Sequence, residues 1–258
     1  MHLLLVFIAA TLAGAINSVA GGGTLLTFPA LLAAGQVSNV ANATSTVALW
    51  PATISSYWGY RDEVGNSRHL LIPLVLLGML GGLLGSILLL VTPTDIFDRV
   101  IPFLVLTATL LFVSQERVSA WLRARSSKPV DENAVPKLAP ATLLLVFGTA
   151  VYGGYFGAGI GIVTLAALGL IGMRNIHQMN GIKNVFAMCT NGIAAAVFIT
   201  RGLVDWRIAL LMAVGSIFGG YSGAGIAKRI GQKNVRKLVI VLGFVLTISL
   251  FVRTFLQK

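Results

Sequence analysis

A stripe of polar side chains on an otherwise apolar predicted helix is the part of the sequence with the clearest chemical potential. At about 100° per residue, four polar positions of segment 176–200 fall on one face of the helix. They are Asn180, Lys183, Asn184 and Asn191. Because polar side chains are costly in hydrocarbon, such a stripe normally faces a protein interior or a water-filled cavity.

The same stripe occurs in the first half of the chain, on segment 39–60. The positions 138 residues earlier are Asn42, Ser45, Thr46 and Thr53. Two unrelated apolar helices would seldom share this pattern, so we expect the two helices to enclose a polar, ligand-accessible seam. The alternative is that these side chains only hydrogen-bond between helices. For Thr53 and Asn191 that alternative is as good an interpretation.

Lys183 is the cation that falls well inside a predicted membrane segment, whereas all eight Asp and Glu residues fall in predicted loops or at segment ends. A buried ammonium without a carboxylate either loses its proton or takes its partner from solution. We therefore expect an anionic ligand, and the lack of intramembrane carboxylates argues against cation transport. Snorkelling of the side chain to the interface is the alternative.

Two glycine-rich breaks precede unusually short apolar segments. Residues 20–24 precede segment 24–35, and residues 153–161 precede segment 160–172. About 12 helical residues reach only ~18 Å, so full crossing by either segment is left open. Paired Gly-broken segments indicate a transport site, and free amides at the helix starts favour anions. The alternative is close helix packing, which we prefer for Gly78, Gly81, Gly82 and Gly85.

Residues beside these breaks complete the predicted site. They are Asn17, Ser18, Gly22, Gly23, Thr24 and Gly159. Thr24 is predicted to be the N-cap of its short helix, because its hydroxyl could accept a backbone N–H. Asn17 and Ser18 could instead simply satisfy a helix end.

The composition is that of a membrane protein. Hydrophobic residues make up 56% of the 258 residues and charged residues 10%, against about 25% charged in a soluble domain. Most of the 19 Lys and Arg lie between apolar segments, where they would set membrane orientation rather than bind nucleic acid. Cys189 stands alone, and no metal, cofactor, nucleotide or catalytic motif is present, so we expect no cofactor and no enzymatic activity.

Ten apolar segments predict an all-α integral membrane protein made of two repeats of five. The segments are about 2–20, 24–35, 39–60, 69–91, 96–115, 139–156, 160–172, 176–200, 204–226 and 234–255. We expect a first repeat over 1–116, a cytoplasmic linker over 117–138 and a second repeat over 139–258. Five crossings per half would give an inverted-topology repeat, as in many secondary transporters. The first segment is expected to be retained rather than cleaved as a signal peptide.

Three motifs resemble those of the sulfite exporter TauE/SafE family. They are NSVAGGGTLLTFPALL at 17–32, ANATST at 41–46 and WGYR at 58–61. The resemblance extends over the whole chain and implies an ATP-independent permease for sulfite, sulfoacetate or a related organosulfur anion. The second half departs from the first, with NGIKN at 180–184 in place of NATST at 42–46. This departure leaves the particular anion undecided.

The sequence thus predicts a multi-pass inner (plasma) membrane carrier of a small anion by alternating access, with an anion channel as the alternative. Lys183 would supply the counter-charge, while Asn42, Ser45, Thr46, Asn180 and Asn184 would hydrogen-bond the oxyanion. The expected partners are the small anion and the lipid bilayer, without nucleic acid. Protons as the coupling ion, and assembly into a homo-oligomer, are left open.

Overall fold

The computed structural model describes residues 2–19, 22–58, 68–126, 139–173, 175–230 and 232–256. This part of the chain is helical, without strands. The first-half helices are α1 (His2–Val19), α2 (Thr24–Ala33), α3 (Ser38–Trp58), α4 (Arg68–Val91) and α5 (Thr94–Ser126). The second-half helices are α6 (Pro140–Tyr155), α7 (Ile160–Leu170), α8 (Ile176–Thr200), α9 (Trp206–Ile230) and α10 (Gln232–Phe251), with a π-helical turn at Val252–Leu256.

Local side-chain chemistry explains where two of these helices begin. The Asn175 side chain accepts hydrogen bonds from the backbone N–H groups of His177 and Gln178 at the start of α8. Asp205 accepts the N–H of Ile208 at 3.2 Å in the first turn of α9. Each side chain satisfies amides that have no acceptor within their own helix.

Each of the main helix contacts is matched by a contact between the equivalent helices when every helix is replaced by its counterpart in the other half. Helix α1 packs mainly on α9, and its counterpart α6 packs mainly on α4. Likewise, α3 contacts α9 while α8 contacts α4, and the pairs α3–α8 and α5–α10 each join a helix to its own counterpart. This pattern agrees with two related repeats. The opposite membrane orientation of the halves stays a prediction.

The prediction that the α4 glycines serve close packing is confirmed. A Cβ added at Gly81 would lie 2.5 Å from Ala150 Cβ on α6, and one at Gly85 would overlap the Val151 carbonyl oxygen. Gly78 and Gly82 similarly approach Thr190 of α8. These glycines let three backbones approach closely, as small residues do in membrane helix packing.

The outer surface is strongly apolar, as expected for a protein solvated by lipid. Leu4, Ile72 and Leu144 are each more than 60% exposed. Within the described ranges, three helices are long and apolar enough to cross a bilayer by length and composition. They are Leu70–Val91, Thr94–Leu122 and Ile176–Thr200. Helices α2 and α7, at 10 and 11 residues, are as short as predicted.

The structure departs from the sequence prediction at the expected linker. Helix α5 continues to Ser126, so the first ten residues of the predicted linker, 117–126, are helical, and residues 127–138 lie outside the described part. The cause is an apolar contact with another helix: Leu122 is buried, and its side chain lies against Gly169 of α7. Helical pairing with α7 therefore stabilises a segment whose composition is typical of a loop.

Tryptophan in a membrane protein is typically an interfacial anchor, but Trp50 makes a contact inside the protein. Its indole N–H instead donates to the Met188 carbonyl of α8 at 3.0 Å. Gly192 allows this approach, because a Cβ there would lie 2.9 Å from the indole nitrogen. Trp121 and Trp206 are more exposed than one third, whereas the Trp58 side chain lies outside the described residues.

Candidate functional site

The two polar stripes meet at a cavity of about 60 Å³ between α3 and α8. Its first-half lining is Asn17, Gly22, Thr24, Thr46, Leu49 and Thr53. Its second-half lining is Gly157, Ile160, Gly161, Lys183, Asn184, Ala187 and Asn191. Both glycine breaks and both polar helices thus contribute to one cavity, which is where the sequence predicted a site.

Lys183 is 4% exposed and lines this cavity. Its Nζ donates to Asn180 Oδ1 at 3.1 Å, and Asn180 Nδ2 in turn donates to the Ile176 carbonyl at 3.0 Å. The Asn180 amide therefore positions the ammonium from within the same helix. No carboxylate in the described part of the chain pairs with Lys183, so its charge has only neutral hydrogen-bond partners there.

The glycine breaks present the starts of two short helices to the cavity. Gly22, Gly157 and Gly159 all have φ between 82° and 107°, a backbone region that favours glycine. Thr24 of α2 and Ile160 of α7, the first residues of their helices, both line the cavity. The first amides of a helix lack acceptors in that helix, and the positive dipole ends favour a negative ligand.

The prediction that Thr24 is an N-cap is wrong. The residue at the N-cap position is Gly23, which has helical dihedral angles and no side chain that could cap the helix. Instead, Asn17 Oδ1 accepts the Gly23 N–H at 2.7 Å across the break. Asn17 therefore closes the break, and the Gly23 amide that we expected to meet the anion is already hydrogen-bonded. The side chain of Ser18 lies outside the described residues.

Five predicted site residues lie beside the cavity rather than on its wall. They are Gly23, Asn42, Ser45, Gly159 and Asn180. Ser45 is fully buried and its hydroxyl bonds Thr27 Oγ1 of α2 at 2.6 Å. Asn42 Nδ2 donates to the Tyr155 carbonyl at the end of α6 at 2.8 Å. These two side chains hold the two halves and the break in place.

The site prediction also missed residues that line the cavity. Thr53 and Asn191 belong to the two stripes but were not included among the predicted site residues. Leu49 lies between Thr46 and Thr53 on α3, and Ala187 lies at the equivalent position on α8. All four are related in pairs by the same 138-residue shift. Following the two stripes along both helices would have found Leu49 and Ala187, whereas Thr53 and Asn191 were in the stripes and were set aside because hydrogen bonding between helices explained them equally well. Gly157 and Gly161 of the second break were also missed.

The buried polar atoms near the seam are not all satisfied. Asn42 Oδ1, Thr190 Oγ1 and Asn191 Oδ1 are buried without a hydrogen-bond partner. Buried unpaired polar atoms are rare in native proteins, and the described residues contain one more, Gln115 Oε1 of α5. In the described residues, no group of His, Cys, Asp and Glu is arranged to hold a metal ion.

The fold and the cavity define a class: an all-α membrane protein with two similar sets of helices around a small polar cavity that contains one lysine. The family model for the sulfite exporter TauE/SafE matches residues 6–250. The chain belongs to this family.

Similar proteins extend over almost the whole chain. A "Probable membrane transporter protein ORF9" of a Sinorhizobium species is 30% identical over 261 residues, covering 96% of this chain and 92% of the relative. A "Probable membrane transporter protein" of Haemophilus influenzae is 29% identical, with 95% and 92% covered. "Probable membrane transporter protein YfcA" of Escherichia coli K12 is 28% identical, with 95% and 87% covered. No solved structure matches the chain significantly. The general function is membrane transport.

Proposed function

We propose that this protein is a secondary carrier of a small anion, either sulfite or an organosulfonate such as sulfoacetate, in the inner (plasma) membrane. The observation that carries the proposal is Lys183, which is buried on the cavity wall without a carboxylate partner in the described residues. A charge held in low dielectric is costly unless it is paired. A mobile anion is the partner that satisfies this charge during transport.

The surroundings of Lys183 favour an oxyanion in particular. Asn17 uses its carbonyl oxygen on the Gly23 amide, which leaves its NH₂ group as a donor beside the cavity. The starts of α2 and α7 add the positive ends of two helix dipoles, which favour a negative ligand. Several donors around one cation suit an anion with several oxygens. The sulfur chemistry itself comes from the family.

The paired broken helices support a carrier that works by alternating access. Secondary transporters commonly bind substrate between two repeats, at helices interrupted by non-helical backbone. Here α2 and α7 follow such interruptions, and the cavity lies between the two halves. Movement of one set of helices against the other would expose the cavity to each side in turn.

The test is flux of ³⁵S-sulfite into proteoliposomes that contain purified protein. Lys183→Ala and Lys183→Met should lower flux at least about 30-fold, because they remove one partner of a buried charge pair. Lys237→Ala, which removes an exposed lysine of α10, is the matched control and should transport normally. Equal flux in the Lys183 and Lys237 variants, with equal amounts of inserted protein, would refute the proposed site.

The same assay separates a carrier from an anion channel. A carrier predicts that the flux saturates with sulfite concentration and that sulfite on the opposite face accelerates exchange. Flux that rises linearly with concentration, without exchange, would assign the protein to the channel class.

A further inference from the structure

The size of the cavity limits its ligand. At about 60 Å³, it has room for about four to six water-sized groups, because one water molecule needs roughly 10–15 Å³ of such volume. Leu49 and Ala187 face it from α3 and α8, while Gly22 closes against the Phe112 ring. A compact oxyanion of one central atom and three oxygens suits this space. Sulfoacetate, with about twice as many non-hydrogen atoms, does not fit without displacing these side chains.

The charge of the cavity limits its ligand as well. Among the described residues on its wall, Lys183 alone carries a charge, and Asn17, Thr46 and Asn184 are neutral. One buried cation neutralises one negative charge. A dianion would leave one charge uncompensated in low dielectric, which is strongly unfavourable.

The hydroxyl groups on the α3 wall indicate a ligand with a hydrogen to donate. Thr46 Oγ1 donates to the Asn42 carbonyl at 3.0 Å, and Thr53 Oγ1 donates to the Trp50 carbonyl at 2.6 Å. A hydroxyl has a single hydrogen and two acceptor lone pairs. Because both hydrogens are already used within α3, these oxygens can only accept hydrogen bonds from a ligand.

On the basis of the proposed transport function, we infer that the cavity selects a compact, singly charged oxyanion that carries its own O–H group. Hydrogensulfite has this chemistry. Lys183 takes the negative charge, and Thr46 or Thr53 accepts the ligand hydroxyl. Organosulfonates that are larger, or that carry a second charge, are excluded, so the inference narrows the substrate class of the proposed carrier.

The experiment is competition against ³⁵S-sulfite flux in proteoliposomes at one fixed pH, with three unlabelled competitors. Hydrogenselenite matches hydrogensulfite in shape, charge and O–H group, chlorate matches its shape and charge but lacks the O–H, and sulfoacetate is larger and doubly charged. Hydrogenselenite should compete within about threefold of sulfite itself. Chlorate should be weaker by roughly 10- to 100-fold, because it leaves a partly buried acceptor on the cavity wall unpaired, and sulfoacetate should be at least as weak.

Variants locate the selectivity in the cavity. The double variant Thr46→Val, Thr53→Val keeps the side-chain shapes but removes both acceptors, and should bring chlorate and hydrogenselenite within about threefold of each other. Thr109→Val, in which a buried threonine bonded to its own helix is changed away from the cavity, is the control and should keep the wild-type selectivity. Leu49→Ala should improve competition by sulfoacetate more than by the two small anions.

Each result has a distinct meaning. Chlorate that competes as well as hydrogenselenite in the wild type would overturn the requirement for an O–H group. Sulfoacetate that competes as well as sulfite would overturn the limit on size and charge. In both cases sulfite flux dependent on Lys183 would leave the proposed function standing, whereas absence of that flux would overturn the function and this inference together.

Discussion

Helices α3 and α8 occupy equivalent places in the two halves, yet their polar side chains do different work. At the position where α8 has Lys183 on the cavity wall, α3 has Ser45, which is turned to Thr27 of α2. Asn42 joins α3 to the other half through the Tyr155 carbonyl, whereas Asn180 bonds its own helix and Lys183. At these equivalent positions, the side chains of the first half therefore bond neighbouring helices, whereas those of the second half place and orient a charge on the cavity wall.

This difference teaches how two similar sets of helices can enclose a cavity with a single charge. Two symmetric lysines would repel each other across a small cavity and would require a dianion between them. Divergence at one position leaves a single cation, while the paired positions Thr46 and Asn184 keep polar contacts from both helices. The packing that both halves share preserves the cavity, and the asymmetry sets its charge.

The most severe test of this comparison moves the lysine to the other half. The double variant Ser45→Lys, Lys183→Ser keeps the net charge but places the cation where Ser45 is fully buried against Thr27. We expect sulfite flux to fall at least about 30-fold, as for a lost charge partner. The measurement is proteoliposome flux normalised to inserted protein. Recovery to near the wild-type rate would mean that the two helices are functionally interchangeable.

The second test changes the two equivalent asparagines to aspartate. In Asn180→Asp, the new carboxylate would lie near the Lys183 ammonium, now 3.1 Å from Asn180 Oδ1, and would compete with the substrate anion. We expect the half-saturating sulfite concentration to rise roughly 10-fold or more, because a permanent salt bridge replaces the ligand. In Asn42→Asp, no described cation lies beside the new carboxylate, so we expect this variant to lower the stability of the protein instead.

For Asn42→Asp the expected mechanism is loss of a donor at a buried site. The Asn42 amide donates to the Tyr155 carbonyl, and a carboxylate would face that carbonyl without a hydrogen to offer. The melting temperature in detergent should fall more than in Asn180→Asp. The comparison between the halves fails if both variants change flux and stability in the same proportion.

The seam between α3 and α8 was predictable from the sequence because helical periodicity and the 138-residue repeat both identify it. The sequence did not allow us to predict the direction in which each side chain of the stripe points. Ser45 and Thr46 are adjacent in the stripe, but Ser45 finds a hydroxyl partner on α2 while Thr46 reaches the cavity. Such choices depend on neighbouring helices that are distant in the chain.

The same limit explains the other errors. The Gly23 amide was predicted to be free, but Asn17, six residues earlier, folds back onto it. Trp50 is of the residue type that commonly anchors a protein at the membrane interface. Its hydrogen bond to the Met188 carbonyl depends on the close packing of Gly192 against the indole ring, which the sequence does not show. The glycines of α4 were predicted correctly, because a spacing of small residues along one helix face needs no knowledge of the partner.

A third test compares close packing in the two halves through equivalent glycines. Gly81 of α4 packs against α6, and Gly219 of α9 packs against α1, where an added Cβ would overlap the Thr11 carbonyl oxygen. We expect each alanine variant to destabilise the protein by about 1–3 kcal/mol through overpacking, with Gly219→Ala the worse because backbone cannot turn aside. Gly148→Ala, with nothing within 4 Å, is the control. Thermal melting in detergent measures all three, and equal melting temperatures would argue against the close helix contact.

The smallest expected effect comes from the bond that joins α3 to α8 directly. Trp50→Phe removes the indole N–H that donates to the Met188 carbonyl while it keeps an aromatic ring in the seam. Because that carbonyl also has an acceptor role within α8, we expect a loss of only about 1 kcal/mol of stability. Trp206→Phe, at an exposed position, should change the melting temperature less. The equivalent position in the second half is Met188 itself, whose side chain has no comparable donor. The hydrogen bond between α3 and α8 is therefore one that the side chain at this position can donate in the first half but not in the second. A Trp50→Phe variant as stable as Trp206→Phe would show that apolar packing alone holds the two helices together.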